Sequence, residues 1–441
     1  MTLESALLAR LAPWREASAW RVAFSGGLDS TVLLHALAVA ARSHALPPIS
    51  AIHVHHGLQA AADAWPLHCQ RLCDELGVPL HVEHVQVAPG ASLERAARDA
   101  RYAAFSARLN PGEVLLLAQH QDDQAETVLY RLLRGAGVRG LAAMAASRAL
   151  AAGHAVRPLL DVPRSALEAH AEAHGLRWVE DPSNADTRLA RNFLRREVLP
   201  LLHAHWPKAS QVLARTAEHQ AEALGLLQEL AELDLQRAQA SPAFDWLTVP
   251  SLDLQALRGL SDARQRNVLR HWLADFTRLP DSRHWQGWVD LRDAGPDASP
   301  VWRLESGELR RHGGCLFWLG TGWSATWSGQ AQPWPLVEQP LALPGNGRVW
   351  LEGTIPEGRL SVGYRQGGEI LEVPGRGRRD LKRLLQEAGV PEFVRGRIPL
   401  LLCDGRPVAL ANLLASPGCG TFHWQPTQID RHLAGAVDVR A

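Results

Sequence analysis

Apolar runs alternate with amphipathic stretches along the first 180 residues of the chain. The short runs predict strands and comprise Arg21–Phe24, Ile49–Val54, Leu80–Val85, Val114–Ala118 and Ala155–Arg157. The stretches between them have helical periodicity and lie near 30–42, 65–76, 92–109, 122–134 and 163–174. Repeated strand–helix units of this kind build a doubly wound parallel sheet, an α/β fold, whose ligands bind beyond the carboxyl ends of the strands.

The pattern changes after this region. From about 186 to 290 it is helical, with Leu226, Leu230 and Leu233 on one helical face. Stretches rich in Pro, Gly, Ser and Trp follow around 293–300 and 320–347, and then short strand-like runs with one amphipathic helix near 379–388. We therefore predict three domains: an α/β domain over 1–205, a mainly helical domain over 206–325 and a small α+β domain over 330–441.

Composition excludes several classes of protein. No stretch reaches the roughly 18 apolar residues of a membrane span, and the formal net charge is zero, so we expect a cytoplasmic protein without membrane contact. Lys208 and Lys382 are the only lysines, and a Walker-type phosphate loop needs one, so the N-terminal half cannot contain it. The five cysteines form no Cys-x-x-Cys pair, which indicates neither a zinc nor an iron–sulfur site.

A glycine-containing turn joins the first predicted strand to the first long helix. Its sequence is Ser25-Gly26-Gly27-Leu28-Asp29-Ser30. A strand–turn–helix places free backbone N–H groups and the positive end of a helix dipole at one point, which is a ready anion site. A carboxylate beside phosphates is unusual unless a divalent cation lies between them, so Asp29 indicates Mg²⁺. A turn that merely enters a helix is the alternative, and six consecutive fitting residues make it the weaker one.

This loop resembles that of the PP-loop ATP pyrophosphatases, which have the adenine nucleotide alpha hydrolase-like fold and cleave ATP between the α and β phosphates. Further motifs narrow the resemblance to the tRNA(Ile)-lysidine synthetase family. They are 51–58, 94–102, 120–127, 134–141, 157–160, 180–184, 191–195 and 381–402. The resemblance covers nearly the whole chain, and it is strongest up to about residue 205.

The resemblance implies an ATP- and Mg²⁺-dependent ligase that joins L-lysine to carbon 2 of the wobble cytidine in tRNA(Ile) with a CAU anticodon. The products are lysidine, AMP and diphosphate, and the tRNA changes from methionine/AUG to isoleucine/AUA. The first domain would be catalytic, and the two that follow would bind and recognise tRNA. Oligomeric state is left open, and a homodimer is one expectation.

The resemblance also implies roles for individual residues. Asp29, Asp123 and Glu126 are expected to be catalytic, with Asp29 holding the metal and the other two recognising lysine. ATP is expected on Ser25, Gly26, Gly27, Leu28, Asp29, Ser30, His53 and Arg98. Contacts with tRNA are expected from Arg131, Arg134, Arg139, Arg191, Arg195, Arg379, Lys382 and Arg383.

Other interpretations of these residues compete with the functional ones. His53, His55 and His56 could suggest a metal cluster, but alternate strand residues face opposite sides, which favours a strand end that lines a nucleotide pocket. The glycines of 135–140 satisfy a dinucleotide pattern, yet a predicted helix precedes them where that pattern needs a strand, so we interpret them as a loop beside the active site. The arginines could simply form a solvated face.

The acidic helix start also has a simpler explanation. Acidic residues are favoured in the first turn of any helix, and this is a good account of Asp122. Asp123 and Glu126 follow the carboxyl end of a strand and share a face, which favours a ligand role. The family more often has His where this chain has Gln119, so we assign a catalytic role neither to Gln119 nor to His120.

Three rival functions remain open. A PP-loop tRNA thiolase would generally need cysteines near the site, and a small-molecule amide synthetase of the same superfamily would not need the basic C-terminal half. A non-catalytic RNA-binding paralogue would not be expected to keep both the phosphate loop and the acidic pair.

Overall fold

The computed structural model describes residues 2–57, 60–87, 93–240, 244–280, 284–295, 298–324, 327 and 329–427. The chain divides between Leu227 and Gln228 into two compact units. Within the described ranges, every helix is too short or too polar to cross a membrane.

The first unit contains a six-stranded sheet. Its strands are β1 (Trp20–Ala23), β2 (Ile49–His55), β3 (Leu80–His84), β4 (Val114–Leu116), β5 (Ser147–Leu150) and β6 (Gly153–Val156). Its helices are α1 (Leu3–Leu11), α2 (Leu28–Ala41), α3 (Trp65–Leu76), α4 (Leu93–Arg108), α5 (Gln121–Leu132), α6 (Val138–Leu141), α7 (Arg164–Ala173), α8 (Ala190–Phe193) and α9 (Leu199–His205). The long helix α10 (Ala209–Arg237) contains the division point.

The sheet order is β3-β2-β1-β4-β6-β5. All neighbouring pairs are parallel except β5 and β6. The predicted doubly wound α/β fold is thus confirmed, and α2 is buried along most of its length because it carries apolar residues on every face. The antiparallel edge strand β5 was not predicted, since its turn uses Ala151 at φ +48°, a conformation for which Gly or Asn is the usual signal.

The second unit is built from small antiparallel sheets and short helices. Its strands are β7 (Ser251–Asp253), β8 (Val301–Leu304), β9 (Gly307–His312), β10 (Cys315–Gly320), β11 (Gln332–Pro333), β12 (Leu341–Leu343), β13 (Gly347–Glu352), β14 (Leu360–Gly363), β15 (Ile370–Val373), β16 (Gly377–Asp380), β17 (Leu400–Cys403), β18 (Arg406–Leu410), β19 (Leu414–Ala415) and β20 (Thr421–Gln425). Its helices are α11 (Leu254–Arg258), α12 (Asp262–Leu273), α13 (Gln286–Asp293), α14 (Thr321–Ser324), α15 (Leu381–Glu387) and α16 (Glu392–Arg395).

The region 206–325, predicted to be mainly helical, contains the helices α10 to α14 and also the sheet β7-β10-β9-β8. Gly313 and Gly314, both at positive φ, form the turn between β9 and β10. This tight turn is the local signal that the helical interpretation overlooked. The tryptophans fill cores here, as Trp288, Trp318, Trp334 and Trp424 are all nearly inaccessible to solvent.

Candidate active site

A cavity of about 320 Å³ opens where β1, β2 and β4 end. Strand β1 lies between β2 and β4, and the chain runs outward on either side of it, so this is the switch point at which open α/β sheets bind ligands. The polar lining includes Ser25, Asp29, His53, Arg101, Gln119 and Asp123. Segments far apart in sequence therefore meet at the position that the strand pattern predicted.

The phosphate loop has a backbone that only glycine accommodates. Gly26 has φ +84°, and a Cβ at this position would lie 2.9 Å from Sγ of Cys69 and 3.2 Å from Cγ2 of Val179. The Val179 N–H also donates to the Gly26 carbonyl at 2.9 Å. Gly27 is the N-cap of α2 and has no side chain to cap the helix, so the first N–H groups of α2 stay available for an anion.

The metal assigned to this loop can be tested on Asp29. Its Oδ1 is buried without a hydrogen-bond partner, while Oδ2 lies 3.6 Å from Nε2 of His120. Burial alone would raise the pKa of Asp29, but the interaction with the nearby His120 imidazole and the charges of nearby arginines lower it overall. An ionised carboxylate with an unpaired oxygen beside a phosphate loop fits a hard, oxygen-ligated cation such as Mg²⁺.

His120 lies at the centre of the acidic groups. It is fully buried, and its Nε2 is 3.6 Å from Asp29 Oδ2 and 3.5 Å from Asp123 Oδ2. Burial lowers its pKa, yet the interaction with the nearby Asp29 carboxylate and the charges of Asp123 and Asp122 outweigh that effect and raise the pKa overall. Its side chain also caps α5 by accepting from the Asp122 N–H at 3.2 Å, so it holds the acidic helix start in place.

Asp123 and Glu126 face the cation Arg195. The Arg195 Nε donates to Glu126 Oε1 at 2.5 Å, and Nη2 donates to Asp123 Oδ1 at 2.8 Å and to Glu126 Oε2 at 3.0 Å. Burial raises the pKa of Glu126 in spite of this guanidinium, whereas these hydrogen bonds raise the pKa of Arg195 against the effect of burial. Arg195 was expected to contact tRNA, and its position against the acidic pair gives it a different partner.

The Asp122 carboxylate makes hydrogen bonds that connect helices. Its Oδ1 accepts from the Ser210 hydroxyl at 2.7 Å, and its Oδ2 accepts from the Arg164 N–H at 2.9 Å. Asp122 therefore ties α5 to the starts of α7 and α10, which agrees with the view that it is not a ligand. Asp123 shares in this capping, since its Oδ2 accepts from the His120 N–H at 3.1 Å, yet it also lines the cavity.

The histidines at the end of β2 take different positions. His53 and His56 line the cavity, while His55 pairs with Asp63 at 3.2 Å. The His53 Nδ1 donates to the Phe24 carbonyl at 2.9 Å, which leaves a buried Nε2 without a hydrogen-bond partner. Burial lowers the pKa of His53, so Nε2 is a hydrogen-bond acceptor. Gln119 also lines the cavity, and its Oε1 lacks a partner.

The predicted ATP residue Arg98 lies over the ring of Tyr102, 5.3 Å from its centroid. Tyr102 lines the cavity, and so does the neighbouring Arg101. Both cavity residues are on α4, the helix that carries Arg98, and ATP binding by Arg98 stays a prediction. Asp181 and Trp65 also line the cavity. Asp181 belongs to the motif 180–184, whereas nothing in the local sequence marks Trp65, which the tertiary fold brings there.

The arginines predicted to contact tRNA in the first unit differ in their surroundings. Arg131 donates from Nη1 to the carbonyls of Gly140 and Ala143, at 2.9 Å each, and so holds the glycine-rich loop. Arg134 is exposed, stacks on Tyr130 and donates to its hydroxyl at 2.6 Å. Arg139 is exposed and Arg191 is half-buried.

The predicted tRNA residues of the second unit lie on its surface. Arg379 belongs to β16, whose four residues are all exposed. Lys382 and Arg383 are exposed on the first turn of α15. Arg383 pairs with Glu387 at 3.0 Å. These side chains can reach a polyanion without breaking a buried interaction.

Comparison with known proteins agrees with this geometry. Models of a PP-loop domain, a TilS substrate binding domain and a TilS substrate C-terminal domain match residues 2–202, 252–317 and 360–428. A tRNA(Ile)-lysidine synthase of Pseudomonas fluorescens is 58% identical over 435 residues, which cover 98% of both chains. The chain belongs to the tRNA(Ile)-lysidine synthase family.

A second curated relative is consistent with this assignment. The tRNA(Ile)-lysidine synthase of Pseudomonas aeruginosa is 60% identical over 441 residues, covering 98% of this chain and 99% of its own. Among solved structures, a tRNA thiolase from Methanococcus maripaludis aligns with 50% of this chain and 78% of its own, at 17% identity and a TM-score of 0.41. The PP-loop model assigns ATP use to the first unit of this tRNA(Ile)-lysidine synthase family member.

Proposed function

We propose that this chain joins lysine to carbon 2 of the wobble cytidine in tRNA(Ile) with a CAU anticodon. Oxygen 2 of the cytidine attacks the α-phosphate of ATP, and diphosphate leaves. The lysine ε-amine then attacks carbon 2 and expels AMP. The observation that carries the proposal is a single cavity that contains both a phosphate loop and the carboxylate of Asp123.

The loop Ser25–Ser30 receives the leaving diphosphate in this scheme. Backbone N–H groups and the dipole of α2 stabilise negative charge as it develops, because they are already oriented towards the phosphates. Asp29, with its unpaired Oδ1, would hold Mg²⁺, which supplies charge neutralisation when bound. The acceptor Nε2 of His53 suits an amino group of the nucleotide.

In this scheme Asp123 and Glu126 recognise lysine. Asp123 and Glu126 share the guanidinium of Arg195, and Asp123 Oδ2 also lies 3.5 Å from the His120 imidazole. A carboxylate that lines the cavity favours the entry of a cation, and lysine carries two amines. Asp123 lines the cavity and would contact lysine, whereas Glu126 acts through Arg195. The ε-amine must lose a proton with an unperturbed pKa of about 10.4, and a nearby carboxylate lowers the barrier to that transfer.

The rival thiolase function lacks support from the described cysteines. Cys69 and Cys73 are fully buried on α3. Burial raises the pKa of both thiols to about 12. A reactive sulfur needs a lowered pKa and access to substrate. A tRNA substrate also agrees with a cytoplasmic location, which stays a prediction.

Labelled lysine tests the proposal directly. We expect wild-type protein with ATP and Mg²⁺ to transfer the label to a tRNA(Ile) transcript with a CAU anticodon, and not to a tRNA(Met) transcript with the same anticodon. Asp29→Asn should lose this activity by about 100-fold or more, while Asp74→Asn, at an exposed position of α3, should not. Transfer of sulfur instead of lysine, or full activity of Asp29→Asn, would refute the assignment. Light scattering on the same preparation tests the expected homodimer.

A further inference from the structure

Three histidines meet between α2 and α7, in the first unit. One ring nitrogen from each of His35, His170 and His174 lies within 4.8 Å of the others. His35 and His170 are buried, and His174 is exposed. None of the three lines the cavity described above, and the ligase reaction makes no use of them.

The spacing of the cluster suits a metal. His170 and His174 are four residues apart on one face at the end of α7, and His35 reaches them from α2. Nδ1 of His35 and Nε2 of His170 are 3.0 Å apart, close to the roughly 3.4 Å between two nitrogens of a tetrahedral zinc ion with bonds of about 2.1 Å. His174 lies at the exposed edge of the cluster, and its ring nitrogen is within 4.8 Å of those of the other two.

A backbone carbonyl and a carboxylate orient two of the three imidazole rings. Nδ1 of His174 donates to the His170 carbonyl at 2.9 Å, which leaves Nε2 for a metal. Oε1 of Glu4 lies 3.7 Å from Nδ1 of His170, on the side of the ring away from the cluster. A carboxylate or a carbonyl on the second ring nitrogen is the usual support of a metal-binding histidine, because it fixes the tautomer and the ring direction.

We propose that His35, His170 and His174 form a zinc site that clamps α7 to α2, with Glu4 as the supporting carboxylate. Imidazole donors of borderline softness suit Zn²⁺. The alternative is a cluster of imidazoles joined by a hydrogen bond and ring stacking, which would need no ion.

Metal binding by tag-free full-length protein distinguishes the two. After treatment with a chelator and addition of Zn²⁺, we expect one zinc per chain by elemental analysis, and a visible spectrum of tetrahedral type with Co²⁺. His174→Gln changes an exposed ligand without disturbing the core. It should weaken zinc binding by more than the roughly 10- to 100-fold typical of losing a supporting partner, and Glu4→Gln should fall within that range.

The control is His219→Gln, which removes an exposed histidine on α10 and should bind zinc as wild type does. Zinc should also raise the melting temperature of wild type and of this control, but not that of His174→Gln. The proposal is overturned if the stripped wild type takes up no zinc. It is equally overturned if His174→Gln binds zinc as tightly as wild type, since the ion would then lie elsewhere.

Discussion

The basic residues of the two units contrast in what they contact. In the first unit, Arg195 is held by two carboxylates and Arg131 by two carbonyls. In the second unit, Arg379, Lys382 and Arg383 are exposed, and Arg383 pairs only with the surface residue Glu387. All five were predicted as tRNA contacts.

The contrast shows how far basic residues in the sequence predict a contact with RNA. A guanidinium has five donors in a rigid fork, so it is held wherever the fold brings matching acceptors within reach. The acceptors of Arg195 are 69 and 72 residues away in sequence, which no local count of charges detects. On β16 and α15 such acceptors are fewer, and the charges stay accessible to phosphates.

The largest effect is expected at the acidic pair. Glu126→Gln removes one charge but keeps the shape, so Arg195 loses its strongest partner. We expect lysine transfer to fall by about 100-fold or more, while the tRNA adenylate still forms from ATP. Single-turnover assays of AMP–tRNA and of lysine incorporation separate the two steps. Glu197→Gln, at an exposed position nearby, is the control; normal lysine use by Glu126→Gln would show that the lysine site lies elsewhere.

An intermediate effect is expected on the surface of the second unit. Replacing Arg379 and Lys382 together by alanine should weaken tRNA binding and reduce the slope of log affinity against log salt by about one for each phosphate that is no longer neutralised. ATP binding should be unchanged. Arg303→Ala removes an exposed arginine of β8 as a control. An unchanged slope in the double variant would mean that these residues do not touch RNA, and the contrast between the units would fail.

The smallest effect is expected for the ion pair between Arg21 and Glu113 in the first unit. Glu113 accepts from Nε and Nη2 of Arg21, at 2.7 and 2.8 Å. The Arg21 hydrogen bonds, above all, lower the pKa of Glu113 to about 2. This pair therefore contributes stability above the unfolded pKa of about 4.3, and the contribution is lost as pH falls from there through about 2.

We expect Glu113→Gln to lower the free energy of unfolding at pH 7 by about 1–3 kcal/mol and to flatten its fall between about pH 5 and 2. Urea unfolding followed by circular dichroism measures both. The matched control is Glu83→Gln, which breaks a more exposed pair with Arg108 and should cost about 1 kcal/mol or less. If the two variants behave alike, Arg21 is no more structural than a surface arginine.

Local sequence was enough to predict the main helices and strands of the first unit and the phosphate loop. Apolar runs and helical periodicity depend on neighbouring residues, so the strands around β1, β2 and β4 were predicted within a few residues of their bounds. The loop was found because its glycine turn, with Gly26 at positive φ, joins an apolar run to a helical stretch, and the position of Asp123 followed from its place after a strand.

Tertiary structure decided the features that depend on distant partners. The pairing of Arg195 with the acidic residues, the central position of His120 and the meeting of His35 with His170 across 135 residues all arise from packing of separate helices. The hairpin of β5 and β6 has a turn without the usual glycine signal, so only the antiparallel pairing of β5 with β6 reveals it. Local periodicity reports which face of an element is buried, whereas the identity of the group on the other side is set only when the chain has folded.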